Sequence, residues 1–226
     1  VDKPPGVLSA PGRGGQPCAI DLLHGRPELA GRESLRIVHR LDQDASGVLL
    51  YARTLQAQRH LVRQFADRKV EKVYYALVTG CVTSDGQIGL SLVYDRRHQR
   101  VRPSAVGEGK PSLTHYRVLQ RLAGNTLVEC RPLTGRLHQV RAHLAAIGHP
   151  LTVDPLYGGG QAVLLSNYKP DYRPPRRHPE RPLISRLTLH AARIAFVHPT
   201  TGAYLTIESP LPKDFRATIR QLGRLV

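Results

Sequence analysis

Two short stretches of this 226-residue chain hold side chains that could do chemistry. The first is Val38-His39-Arg40-Leu41-Asp42-Gln43-Asp44-Ala45-Ser46-Gly47. It is a polar loop between two apolar runs, 35–38 and 48–51, and such a loop presents its side chains at the rim of a rigid sheet. Asp42 within it reads in two ways. It is a turn or cap residue, or it is a carboxylate acting as nucleophile or general base. The second stretch is Pro132-Leu133-Thr134-Gly135-Arg136-Leu137-His138-Gln139-Val140-Arg141-Ala142-His143. Its spacing predicts a helix over 136–147, with Leu137, Val140, Leu144 and Ile147 on one face and Gly148 and Pro150 ending it. Arg141 stands beside that stripe. It either snorkels to solvent or buries its stem and aims its guanidinium at an anion on the helix margin.

Other candidates carry less. His138, His143 and His149 invite a metal reading, but they lack the HExxH pattern, and Cys18, Cys81 and Cys130 form no CxxC pair. No metal and no cofactor is expected. Gly158-Gly159-Gly160 lacks both the Walker lysine and GxGxxG spacing, so it supports no nucleotide loop. Three scattered cysteines argue against a disulfide framework and for a reducing, cytoplasmic setting.

The charge balance narrows the partner. Thirty-three Lys and Arg stand against 17 Asp and Glu, a formal net charge of +16. Such a surplus repels itself without an anionic partner, and nucleic acid is the leading one, because each basic group on a phosphate releases counterions. No apolar run reaches the roughly 18 residues of a membrane span, so no membrane role is expected. The sequence has no methionine and opens on Val-Asp-Lys-Pro-Pro-Gly. That opening reads as a strand entered part-way, with N-terminal residues trimmed or unseen.

The elements that must position these stretches follow from periodicity. A strand broken by Pro4-Pro5-Gly6 opens the chain, and a Gly/Pro loop follows over 9–15. Thr54 is placed to cap a helix whose apolar positions are Leu55, Leu61, Val62 and Phe65. Residues 73–78 read as a strand ended by Gly80. Residues 95–110 read as a loop carrying Arg96, Arg97, Arg100, Arg102 and Lys110. Hairpins are predicted across 123–125 and 198–202, and Asp214 is placed to cap a final helix. The Pro-rich basic stretch 169–182 reads as extended loop within an insertion over 161–182. The class is α+β: one domain over 1–226 with a mixed, mostly antiparallel central sheet and flanking helices.

Several motifs together resemble the RluA-type family of pseudouridine synthases. His39-Arg40-Leu41-Asp42 through Gly47 is similar to that family's HRLD loop. Glu71-Lys72-Val73-Tyr74-Tyr75-Ala76 is similar to its K-x-Y-x-A strand. The stretch from Pro132 through Gly148-His149-Pro150 to Asp154-Pro155-Leu156-Tyr157-Gly158 is similar to its TGR, HQ, GHP and D-x-x-YG segment. The Asp2-Lys3-Pro4 opening and the closing strands match as well, so the resemblance covers residues 2 to about 215 in order. Within the family it lies nearest the short, single-domain members. Ala45, Val140 and Val153 depart from the family pattern.

The resemblance implies the pseudouridine synthase fold with a basic RNA-binding cleft, acting on ribosomal or transfer RNA stem-loops. It implies a monomer with no obligate protein partner. It makes Asp42 the nucleophile, toward either carbon 6 of the base or carbon 1 of the ribose. A carboxylate in water is ionised at neutral pH, so Arg141, with Arg136 as second choice, serves to hold that charge once a flipped base seals the site. Tyr74 stacks on the uracil and assists proton removal at carbon 5, whereas Tyr75 turns to the core. Arg40 helps keep the nucleotide flipped. Arg96, Arg97, Arg100 and Lys110 supply the wider grip, and His138 a polar RNA contact. Two other readings stay open: a catalytically silent RNA-binding protein on the same scaffold, and a zinc hydrolase of nucleic acid.

Overall fold

The computed structural model describes residues 1–12, 14–24, 35–104, 108–173 and 178–226. Parts of the predicted loops at 9–15, 95–110 and 169–182 lie outside the described residues. In chain order the elements begin with β1 (Asp2–Lys3), α1 (Ala19–His24), β2 (Arg36–Ile37), β3 (Ser46–Val48), β4 (Tyr51–Ala52), α2 (Leu55–Ala66) and β5 (Glu71–Thr79). Next come β6 (Gly86–Gly89), β7 (Leu92–Asp95), β8 (Arg100–Pro103), β9 (Leu113–Leu122), β10 (Asn125–Pro132) and α3 (Gln139–Ala146). The last are β11 (Leu189–Val197), β12 (Tyr204–Glu208) and α4 (Lys213–Gly223). The chain divides into two compact units, one of Val1–Val73 with His190–Pro210, the other of Tyr74–Leu189 with Leu211–Val226.

In the first unit the strand order is β1, β3, β11, β12. The β3–β11 pair is parallel and the others are antiparallel. Gly47 makes that parallel pair possible: it sits at φ +114°, and a Cβ there would land inside the Ala191 backbone. The core here is Val38, Val48, Leu50, Leu61, Ile194 and Phe196. Residues 48–51 do not form the single strand expected. Leu50 N–H is drawn out of the ladder to His39 Nε2 (3.0 Å), which separates β3 from β4. Thr54 caps α2 as predicted, its Oγ1 accepting from Ala57 N–H at 3.1 Å. The apolar stripe is only half right, since Leu61 is buried but Leu55 and Val62 are exposed. Gln64 takes a core-facing place because its amide closes both backbone groups of Val197, at 2.8 and 2.9 Å.

In the second unit β5, β10, β9 and β6 follow one another, all antiparallel. Its main core joins Leu77, Leu127, Val153, Val163, Phe215 and Leu222. The predicted loop at 95–110 holds the turn and the second strand of a hairpin, β7–β8. Asp95 Oδ1 ties its turn by accepting from Arg97 N–H (3.0 Å) and His98 N–H (3.2 Å). The predicted cap Asp214 lies inside the first turn of α4 and pairs with Arg186 instead. The fold class is α+β with a mixed, mostly antiparallel sheet, as the sequence predicts.

Candidate active site

In the first unit the Asp42 loop is held from both sides by buried groups, while the Asp42 side chain is only half-buried. Ser9 Oγ donates to Leu41 O (2.8 Å) and accepts from Leu41 N–H (2.9 Å). Lys3 is 1% exposed, and its ammonium gives all three protons to carbonyls: Pro4 O at 2.9 Å, Val7 O at 2.8 Å and Gln43 O at 2.7 Å. The residues before and after Asp42 are thus each fixed by a side chain more than 30 residues away in sequence. Burial pushes the Lys3 ammonium down to about 8, against the pull of the Asp44 and Asp42 charges, so it stays charged at neutral pH. Ala45 N–H closes the turn onto Asp42 O at 3.2 Å.

The loop's exit is fixed as well. Ser46 Oγ lies 2.9 Å from His190 Nδ1, and His190 Nε2 lies 3.0 Å from Ser209 O. A carbonyl only accepts, so Nε2 carries a proton. His39 stacks on Phe65 with ring centroids 4.7 Å apart and accepts Leu50 N–H, which requires a neutral ring. Burial, helped by the charge of Lys72, pushes it down to about 3. Arg40 is exposed.

On β5, Tyr74 is half-buried and lies opposite Cys130 of β10. Tyr75 packs against the core of the second unit, as alternation predicts. Burial lowers the ammonium of Lys72, in the first unit, to about 8.

The second unit organises the remaining candidates around α3. The helix starts three residues later than predicted, because His138 adopts a left-handed conformation at φ 49°. Gln139 builds that entry. Its Oε1 accepts from Thr134 Oγ1 (2.7 Å) and Arg136 N–H (3.1 Å), and its Nε2 donates to Leu113 O and Thr114 Oγ1 (both 3.0 Å). Val140 and Leu144 are buried, whereas Leu137 is exposed and Ile147 half-buried.

Arg141 is a buried arginine, which rejects the snorkelling reading. It makes a two-pronged pair with Asp154: Nε to Oδ2 at 2.7 Å and Nη2 to Oδ1 at 2.8 Å. The two side chains are 10% and 0% exposed. Its guanidinium carbon also sits 5.0 Å over the Tyr157 ring. Tyr157 joins several groups. Arg100 approaches the same ring at 6.0 Å, and the hydroxyl accepts Val101 N–H at 3.0 Å and lies 3.1 Å from His138 Nδ1. The tight turn after Asp154 needs glycine at 159, where a Cβ would overlap the Leu151 carbonyl.

Arg96, Arg97, Arg102 and Lys110 are exposed around the β7–β8 hairpin, and Arg136 is half-buried. Arg100 is held inward, donating from Nη1 to Leu156 O at 2.9 Å. His143 sits against Thr114 Oγ1 at 3.0 Å, and His149 donates from Nδ1 to Thr79 O at 3.0 Å. Among the described residues no group of three or more His, Cys, Asp or Glu is placed to hold a metal ion. No helix among them is long and apolar enough to cross a membrane.

The sequence matches the family model described as RNA pseudouridylate synthase over residues 1–146. The chain belongs to the RNA pseudouridylate synthase family. Among curated members of this family it is 39% identical over its whole length to ribosomal large subunit pseudouridine synthase D of Nitrosomonas europaea, covering 62% of that protein. Over 95% of the chain it is 38% identical to the protein of the same name from Pseudomonas aeruginosa, covering 66% of it. The chain thus spans a little under two thirds of the length of these relatives. A solved structure, human RNA pseudouridylate synthase domain containing 1, aligns over 94% of this chain and 79% of its own, with 27% identity and a TM-score of 0.71.

The sequence motifs of this family member include four residues to which the sequence assigns no role: Lys3, Gln139, Asp154 and Tyr157. Each acts through a partner distant in sequence, and no local pattern reports that. The one available signal was chemical. A lysine between an aspartate and two prolines, and an aspartate three residues before a tyrosine, are costly to bury without partners.

Proposed function

We propose that the chain isomerises uridine to pseudouridine in structured RNA, with ribosomal RNA as its first target and transfer RNA stem-loops as a second class. Asp42 is the nucleophile on a uridine flipped out of its stack. The observation that carries this reading is the fixing of Asp42. Buried Lys3 and Ser9 hold its two neighbours while its own carboxylate stays half-exposed to a substrate. A turn aspartate of no function has no need of a buried ammonium beside it. The naming of the relatives as ribosomal large subunit synthases supports the RNA class.

The reaction breaks the bond between base N1 and ribose C1′, turns the base, and joins C5 to C1′. The C5 proton leaves and N1 gains one, so atoms balance without a cofactor. Asp42 holds either C1′ or C6 in the interval. Tyr74 stacks on the ring and takes part in removing the C5 proton. Arg141 acts electrostatically to keep the nucleophile charged when the base excludes water. Its Nε–Nη2 edge is committed to Asp154, which fixes the plane of the guanidinium. Arg40 and Arg136, with Arg96, Arg97, Arg100, Lys110 and His138, take the phosphates and the displaced strand.

The test is pseudouridine mapping of large-subunit ribosomal RNA and of total transfer RNA, each made without modification and incubated with and without the protein. New pseudouridine at one or a few ribosomal positions is the predicted result. RNA that binds the protein and gains none contradicts the reading.

A further inference from the structure

The segment Arg216-Ala217-Thr218-Ile219-Arg220-Gln221-Leu222-Gly223-Arg224 repeats an arginine every fourth residue along α4. On a helix this spacing stacks like charges on one side, about 6 Å apart. All three arginines are exposed, and they line one open groove of about 420 Å³ with Leu127, Leu211 and Ile219. The rim is cationic and the floor apolar. The helix itself is firmly seated, since Phe215 and Leu222 are fully buried and Thr218 Oγ1 donates to Asp214 O at 2.9 Å.

No ion pair among the described residues accounts for this row. Like charges four residues apart destabilise a helix. Arg220 and Arg224 favour the helix dipole near its C-terminus, but Arg216, at the end of the first turn, opposes it. Among the described residues no carboxylate lies within 4 Å of any of the three. The one acid of the helix, Asp214, is held two-pronged by Arg186 at 2.7 and 2.8 Å. An arrangement that costs helix stability and gains no carboxylate partner among the described residues suits an external anion.

We propose that this groove binds the sugar-phosphate backbone of the RNA substrate, away from the reacting nucleotide. This rests on the RNA reading above. Charges in steps of about 6 Å suit successive phosphates of one strand, and the apolar floor suits ribose faces.

The test is the variant Arg216→Gln, Arg220→Gln, Arg224→Gln in the full chain, assayed on a ribosomal RNA fragment. The slope of log affinity against log salt should become shallower by about 2 to 3, near 0.7–0.9 per lost phosphate contact. KM for RNA should rise at least tenfold, with the loss in KM rather than kcat. The melting temperature without RNA should stay level or rise, since repulsion is removed. Should the triple variant fail to fold, Arg220→Gln alone should lower the slope by about one. A folded variant with the parent's slope and KM overturns the proposal. So does one that keeps its RNA affinity but loses binding to poly-glutamate, which would mark a site for an acidic protein segment. A parent that binds RNA with the predicted salt slope but forms no pseudouridine sinks the catalytic reading and leaves the groove standing.

Discussion

The Arg141–Asp154 pair is where a single atom matters most. It is buried and two-pronged, and Asp154 Oδ1 also accepts Leu156 N–H at 3.2 Å. Removing one charge breaks both prongs of a buried ion pair, at a cost of about 3–5 kcal/mol. Asp154→Asn should therefore lower the melting temperature by roughly 10 °C, and it should also lower kcat by releasing the plane of Arg141. Thermal melts and single-turnover rates check this, and a variant within 1–2 °C of the parent with full kcat contradicts it. Much at this scale was legible in the sequence. Arg141 stood out beside an apolar stripe, and Asp42 within a polar loop. Lys3 and Asp154 did not, because their partners lie 40 and 13 residues away. Burial with a distant partner leaves no period to read.

Among the elements, the β7–β8 hairpin shows why part of the fold was hidden. Its strands are four residues each, only Leu92 and Val101 in them are buried, and Arg100 and Arg102 flank Val101. The helix α2 was legible at its cap and not along its stripe, since a polar side chain, Gln64, does the inward work. Tyr157 ties the hairpin to α3 through its hydroxyl and its ring. Tyr157→Phe keeps the ring and removes the bond to Val101 N–H, leaving that buried donor unmet. The hairpin should loosen, and KM for RNA should rise about threefold to tenfold while kcat falls less than threefold. Equal kinetic constants for variant and parent would show that the hydroxyl has no part in presenting the basic hairpin.

For the whole molecule, the net charge of +16 is the most legible property, and it points to a nucleic-acid partner. The long-range strand pairings were less so. The parallel β3–β11 ladder joins residues 46–47 to 190–191, a contact that no local pattern announces. Global stability should also carry a pH signature from His39. Its ordinary value is 6.5 and burial holds it near 3. Above 6.5 neither folded nor unfolded chain protonates this ring. Below 6.5 the unfolded chain binds the proton and the folded chain does not, so stability falls as pH drops from 6.5 toward 3. The slope is at most about 1.4 kcal/mol per pH unit for one proton. Melts at pH 7.5, 6 and 5 should show this decline, and His39→Gln should flatten it. Parallel curves for the two proteins would assign the decline to other groups.

The central claim is that the Asp42 carboxylate performs the chemistry. Asn at that position keeps the shape of the loop and the contacts of Lys3 and Ser9 with the backbone, and it removes only the nucleophilic charge. The deciding measurement is pseudouridine formation by Asp42→Asn under single-turnover conditions, on an RNA that the parent modifies. The predicted result is RNA affinity within about threefold of the parent, with no detectable pseudouridine. Turnover at the parent's rate would contradict the account.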